Sequence, residues 1–370
     1  MKSGPASQSV FASGVCFVAV LSLAAGCGGG ESSRYEDPSR ANAAARASVA
    51  EARLDRERGD LRNAALIALQ DLVRSPDALT RANAAEALEL VPSALDEIAP
   101  AVLLDDNIGV RSIAAVAVGR SGLRRHEPLL RGMLSDESDY ARASAIYALT
   151  VMGFEVDRSP MAGFLLSGEP FGLRGHTAYL LGELGDPSAI DLLRDAAKAP
   201  MERASVSQRR VVELQISEAM IKLGDQQQLG AVRAALFPSQ TSDLEAMALA
   251  IQIVGEVGDS ASRGRLVQIA ETQDSAGQRM PPEVQLAIAI SMAKLGDRNG
   301  WFVADEFWDA SRDVLRADAA AVFGWTGREN DLRRLRTMLD DRSGRVRASA
   351  AAGILRAVTT SDASLAEARS

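Results

Sequence analysis

The sequence predicts an all-α fold, an α-solenoid or superhelix of about nine helix pairs. Three observations predict it. Apolar residues fall on one face of successive short helical segments. An arginine-bearing stretch returns at a spacing of about 31 residues, a period that belongs to stacked repeats. A helix-stop phrase, Leu184-Gly185-Asp186, also comes back as Leu223-Gly224-Asp225, Val257-Gly258-Asp259 and Leu295-Gly296-Asp297. Composition agrees with helix-on-helix packing. Hydrophobic residues make up 47% and aromatics 4% of the chain, so much of the apolar mass is small, as in Ala317–Val322. A net charge of −8 gives no basic face of the kind a general nucleic-acid binder needs.

The first element is not part of the predicted array. Lys2 precedes an apolar segment, Val10–Ala25, which has the length of a secretory signal and is too short for a comfortable membrane span. The segment ends in Leu23-Ala24-Ala25-Gly26-Cys27, which resembles the lipobox of bacterial lipoproteins. That resemblance implies removal of residues 1–26 and lipidation of Cys27 as the new N-terminus. Two or three acyl chains would suffice for stable membrane attachment. Residues 27–40, beginning with Gly28-Gly29-Gly30-Glu31-Ser32-Ser33, then read as a flexible tether. Cys16 would leave with the signal, so no disulfide is expected in the mature chain.

Residues 41–79 are expected to form capping helices, residues 80–358 the repeat array, and residues 359–370 a polar tail at the far end. Copies of the second helix begin at Thr80-Arg81, Val110-Arg111, Ala141-Arg142, Leu173-Arg174, Leu315-Arg316 and Val346-Arg347. Degenerate copies begin at Val212-Glu213, Ala246-Met247 and Val284-Gln285. Counting from the residue before the arginine, positions 1, 5, 8, 9 and 12 form the apolar stripe; in one copy these are Leu173, Thr177, Leu180, Leu181 and Leu184. Glycine then stops the helix at low steric cost. Aspartate can cap the next helix, with Pro187 suited to its first turn.

The stretches 105–122, 136–153 and 340–355, with their Asp-Arg cadence, resemble HEAT repeats, particularly the short HEAT-like type also found in phycobilisome lyases. The resemblance implies an aspartate–arginine ladder between neighbouring repeats. Its members here would be Asp105, Asp136 and Asp341, each six residues before Arg111, Arg142 and Arg347. The middle copies carry Glu213, Met247 and Gln285 instead of arginine. The resemblance also implies that second helices line a concave face. Lyase activity is not carried over, because the chain reads as exported and no residue pattern marks a bilin pocket.

Little in the sequence points to catalysis. The two histidines are His126 and His176, and no cysteine falls in the array, so no metal site and no cofactor is expected. Phosphate-binding and nucleophile-elbow motifs are missing; Gly119-Arg120-Ser121-Gly122 has only a superficial likeness to the latter. Acidic pairs such as Asp105-Asp106 and Asp340-Asp341 fall at turns, where capping explains them. What remains is surface. Positions 4, 7 and 11 of the second helices point away from the apolar stripe. In three successive copies they are Ile113, Val116, Arg120; Ser144, Tyr147, Val151; and His176, Tyr179, Glu183. A ridge of Tyr147 and Tyr179 flanked by Val116 and His176 is the expected partner-binding surface, tyrosine being favoured at such sites. A second aromatic cluster, Trp301-Phe302 and Phe307-Trp308 joined by Trp325, is expected to pack in the core. The reading is a non-enzymatic scaffold for protein partners, membrane-attached through its lipid at the bacterial cell envelope, with no nucleic acid and no evident small-molecule substrate. Its rivals are an enzyme or enzyme-accessory protein with an unrecognised site, and an assembly factor of an envelope complex.

Overall fold

The computed structural model describes residues 38–167, 170–238, 243–273 and 277–369. The expected signal segment and Cys27 lie outside the described residues. The chain divides into two compact units, Met1–Ala52 and Arg53–Ser370. The repeats and their packing belong to the second.

Among the described residues the chain runs through α1 (Pro38–Leu72), α2 (Ala78–Ala87), α3 (Pro92–Leu103), α4 (Ile108–Arg120), α5 (Glu127–Met133) and α6 (Asp139–Val151). Next come α7 (Ser159–Leu166), α8 (Phe171–Leu184), α9 (Ile190–Lys198), α10 (Val206–Lys222), α11 (Leu229–Ala235) and α12 (Leu244–Glu256). The last six are α13 (Arg263–Glu271), α14 (Pro282–Lys294), α15 (Trp301–Phe307), α16 (Asp313–Thr326), α17 (Glu329–Met338) and α18 (Gly344–Arg369). No strand occurs among the described residues, only one isolated bridge between Gln273 and Arg279.

The repeated phrase is the turn between the helix pairs. Gly185, Gly224, Gly258 and Gly296 have φ of 69°, 106°, 73° and 91°, the left-handed region where only glycine carries no Cβ penalty. Each following aspartate holds the restart. Asp186, Asp225 and Asp297 accept from the backbone N–H two residues on, at 3.1, 3.2 and 3.0 Å. Asp259 accepts from the Ser262 hydroxyl at 2.6 Å. The restart begins with a single 3₁₀ turn, as at Pro187–Ala189, before the α-helix proper.

Even-numbered helices pack on one another in succession and form an inner layer, while each odd-numbered helix backs its own partner from outside. The expected stripe is where the packing lies: Leu173, Thr177, Leu180 and Leu181 are all buried. The succession does not stop at α18. That helix packs on α2, and a single core joins the first repeats, such as Leu88 and Leu103, with the last, such as Phe323 and Ile354. A Cβ placed on Gly344 would lie 2.6 Å from Thr80 Cγ2. The expectation of two separately capped ends is therefore corrected. Among the described residues nine inner helices close into a ring, with an average turn of about 40° per repeat. Residues 359–369 continue α18 instead of forming a tail.

Small side chains explain the tight curvature. At position 10 of α4, α8, α12 and α16 stand Gly119, Gly182, Gly255 and Gly324. A Cβ there would lie 2.7 Å from Ala148 Cα, 2.8 Å from Ala219 Cα, 2.9 Å from Ser291 Cα and 2.4 Å from Gly353 Cα, respectively. Each close approach is to the next inner helix, so every second joint is a tight one. The joints between them carry Thr150, Ile221 and Ala293 at that position. An odd number of repeats cannot sustain this alternation around a ring. It breaks at the closure, where Leu355 and Glu89 occupy position 10 in the copies of α18 and α2.

Candidate functional site

The arginines and aspartates singled out in the sequence meet between repeats. Arg111 holds Asp136 through two bonds, Nε at 2.8 Å and Nη2 at 2.9 Å, while its Nη1 reaches back to the Asp105 carbonyl at 2.8 Å. Arg81 holds Asp105 in the same forked way, and Arg316 holds Asp341 at 2.8 and 2.9 Å. Arg347 donates to the Asp341 carbonyl at 2.9 Å. The run breaks at Arg142, which donates to the Asp136 carbonyl but pairs its charge with Asp139 of its own helix. Arg174 has no acid. Its buried guanidinium donates to the carbonyls of Ser167, Ala196, Ala199 and Pro200. The forked arginines hold the carboxylates of Asp105, Asp136 and Asp341 below the usual range, although burial opposes this.

The inner face carries the chemistry. Position 11 of the inner helices reads Arg120, Val151, Glu183, Lys222, Glu256, Lys294, Trp325 and Arg356 from α4 to α18. Signs alternate along the middle of that run, and the side chains pair. Lys222 holds Glu183 at 2.7 Å and Glu218 at 2.7 Å, and Lys294 pairs with Glu256. Arg120 reaches across α6 to the Tyr179 hydroxyl and to Glu183 of α8, and lies 3.8 Å from Glu89. A contact that skips a helix requires both side chains to point at a common axis, so this face is the interior of the ring. Burial pushes Tyr179 up to about 12. It also works against charge on Glu183, but Lys222 and Arg120 outweigh it and hold that carboxyl below its ordinary value. Trp325 lies between two cations, with Lys294 Nζ 5.3 Å and Arg356 Cζ 4.6 Å from its ring.

The expected partner ridge is placed in this interior, which corrects it as an exposed surface. Tyr147 is 1% exposed and Val116 is buried with it in the core beneath α6 and α8. Tyr179 packs partly buried beside them, between Arg120 and Lys222. His176 bonds Ser144 Oγ through Nε2 at 3.0 Å, and its ring lies 5.4 Å from that of Tyr140. Burial lowers His176 to about 4, so it is neutral at pH 7. Ser144 is 0% exposed, so its hydroxyl is closed off from solvent. The physical reason for the correction is closure: a face that would be concave and open in an unclosed solenoid becomes a packed centre when the ends of the solenoid meet.

A part of the interior stays open beside the closure. A cleft of about 510 Å³ lies between α2, α16 and α18, lined by Glu86, Glu89, Asp318, Arg345 and Arg356 over a floor of alanines. None of these five stands out as a site residue in its own stretch of sequence. The signal lies across copies: alanine at position 7 of α16 and α18, where α6 and α8 carry tyrosine, marks the place. The second aromatic cluster divides. Trp308 and Phe307 pack on the core, Arg328 covers the Trp301 ring at 3.8 Å, and Phe302 is 52% exposed. Trp325 belongs to the interior instead. Among the described residues no group of three His, Cys, Asp or Glu side chains gathers as for a metal ion, and no helix is long and apolar enough to cross a membrane.

Ringed helix pairs joined by a glycine–aspartate turn, with arginine–aspartate links between neighbours, define an all-α repeat array. The family model of HEAT repeats matches residues 67–150, so that stretch is similar to HEAT repeats. No curated protein matches it. Among solved structures, the crystal structure of an engineered protein is 15% identical and covers 78% of this chain and 87% of its own, with a TM-score of 0.30.

Proposed function

We propose that the protein is an exported, lipid-anchored scaffold of the bacterial cell envelope that binds protein partners without catalysing a reaction. The observation that carries this reading is the HEAT-repeat match together with the mutual pairing of the interior charges. Arg120, Glu183, Lys222, Glu256 and Lys294 are engaged with one another, which makes them ties of the ring and leaves no free acid–base couple among them. The anchor rests on the residues around Cys27. In this reading the partner surface lies on the outer helices and the rims, because the inner face is packed.

Two measurements test the reading. Cys27→Ser should shift the protein from the detergent phase to the aqueous phase; unchanged partitioning removes the anchor. A photo-crosslinking residue at exposed Phe302 should form protein adducts in intact cells, while the same residue at buried Tyr147 should form none. Adducts from the Tyr147 position alone would return the binding face to the interior and contradict the reading.

A further inference from the structure

The interior is filled unevenly. Where α6 and α8 present Tyr147 and Tyr179 at position 7, α16 and α18 present Ala321 and Ala352. The missing rings leave the cleft beside the closure, floored by Ala317, Ala321, Ala348 and Ala352. Two opposite charges stand in it without a direct hydrogen bond or ion pair among the described residues. They are Asp318 and Arg345, both half-buried, although Arg345 lies in the fields of Asp318, Asp313 and Asp77. The interior charges of the middle repeats, by contrast, are paired. Half-buried charges without partners cost stability, and a protein that keeps them at a cleft is using them on something that enters it.

We propose that this cleft binds a small zwitterion of the free α-amino-acid class. The Arg345 guanidinium takes the ligand's carboxylate in its two-pronged donor geometry. The Asp318 carboxylate takes the ammonium, and an aliphatic side chain lies along the alanine floor. Asn83 and Glu86 of α2 close the third wall, so the ligand touches both sides of the seam where the ring closes. Burial, with a contribution from Glu283, pushes Asp318 up to about 6 against the pull of Arg345. Glu86, Glu89 and Arg356 are the other charged groups facing the cleft. The carboxylate form that accepts the ammonium is lost as pH falls through that value. The inference stands independently of the lipid anchor and of any protein partner.

Calorimetric titration of the full chain with L-leucine and with glycine tests it, using 4-methylpentanoate and 3-methylbutylamine as probes that keep one charge each. L-leucine should bind saturably near pH 7.5, with either single-charge probe weaker by about tenfold or more. Asp318→Asn and Arg345→Gln should each weaken L-leucine by a similar factor. Asp318→Asn removes an unpaired half-buried charge and should unfold at no lower temperature than the parent, which separates loss of binding from loss of fold. No saturable binding of either amino acid at millimolar concentration overturns the proposal. Equal affinity for the amine would make this a cation site only, and equal affinity for the carboxylate an anion site only; both contradict it. So does binding that neither substitution affects.

Discussion

Replacing Gly119 with alanine tests the tight joints on which the curvature depends. The new Cβ would meet Ala148 Cα at 2.7 Å and Ala148 Cβ at 2.9 Å, about 1 Å inside the separation at which carbon atoms pack. The atoms it meets include backbone, so α4 and α6 must separate or tilt. Overpacking of this kind costs about 1–3 kcal/mol or more. Alanine returns about 1 kcal/mol in helix propensity, which leaves a net loss of up to about 2 kcal/mol. Gly132 in α5 supplies the control, because a Cβ there meets nothing within 4 Å. Gly132→Ala should therefore stabilise by about 0.5–1 kcal/mol. Urea denaturation of both variants, compared by midpoint at constant slope, reads the difference. A Gly119→Ala variant as stable as Gly132→Ala would show that α4 and α6 do not approach as described.

The contacts set three further outcomes. Asp341→Asn should destabilise by about 1–3 kcal/mol in thermal or urea unfolding, because the Arg316 guanidinium is left buried without its carboxylate; disruption of the exposed Arg53–Glu57 pair should cost less than about 0.5 kcal/mol. Tyr147→Ala should lower stability by about 3 kcal/mol or more, and a loss confined to partner capture would mean that Tyr147 is a surface residue after all. His176 is depressed to about 4 in the fold from an ordinary 6.5, so the unfolded chain takes up its proton first. Stability should thus be full above pH 6.5 and fall by about 2–3 kcal/mol as pH drops toward 4. His176→Gln should remove that part of the pH dependence.

The helical class, the period and the turn were legible because each rests on local chemistry. A left-handed glycine followed by a capping aspartate acts within a few residues, and Gly185-Asp186 behaves as its sequence says. The apolar stripe from Leu173 to Leu181 was equally readable, since a 3.6-residue period decides which face is buried. Closure was not legible. It depends on the summed turn of nine joints, and no single joint announces whether the end will reach the start. The tyrosine ridge was misplaced for that reason: positions 4, 7 and 11 do face inward, but inward in a ring means packed. The glycines at position 10 carried the missing signal. Gly119 was read against a nucleophile motif, whereas its partner is Ala148 of the next helix. The cleft at Asp318 and Arg345 was invisible in one copy alone, because it is defined by what Ala321 and Ala352 lack relative to Tyr147 and Tyr179.

A covalent bond across the closure gives the most direct check on the ring. Thr80 Cβ lies 3.2 Å from the Cβ that a side chain at position 344 would carry, close to the separation a disulfide spans. In a chain with Cys16 and Cys27 replaced by serine, the pair Thr80→Cys and Gly344→Cys should oxidise within one molecule and migrate faster on non-reducing gels until reduced. An open array of the same repeats would hold the two positions roughly 70 Å apart at ordinary helix spacings. Failure to form the intramolecular bond in folded protein, or formation only between molecules, would contradict the closed ring.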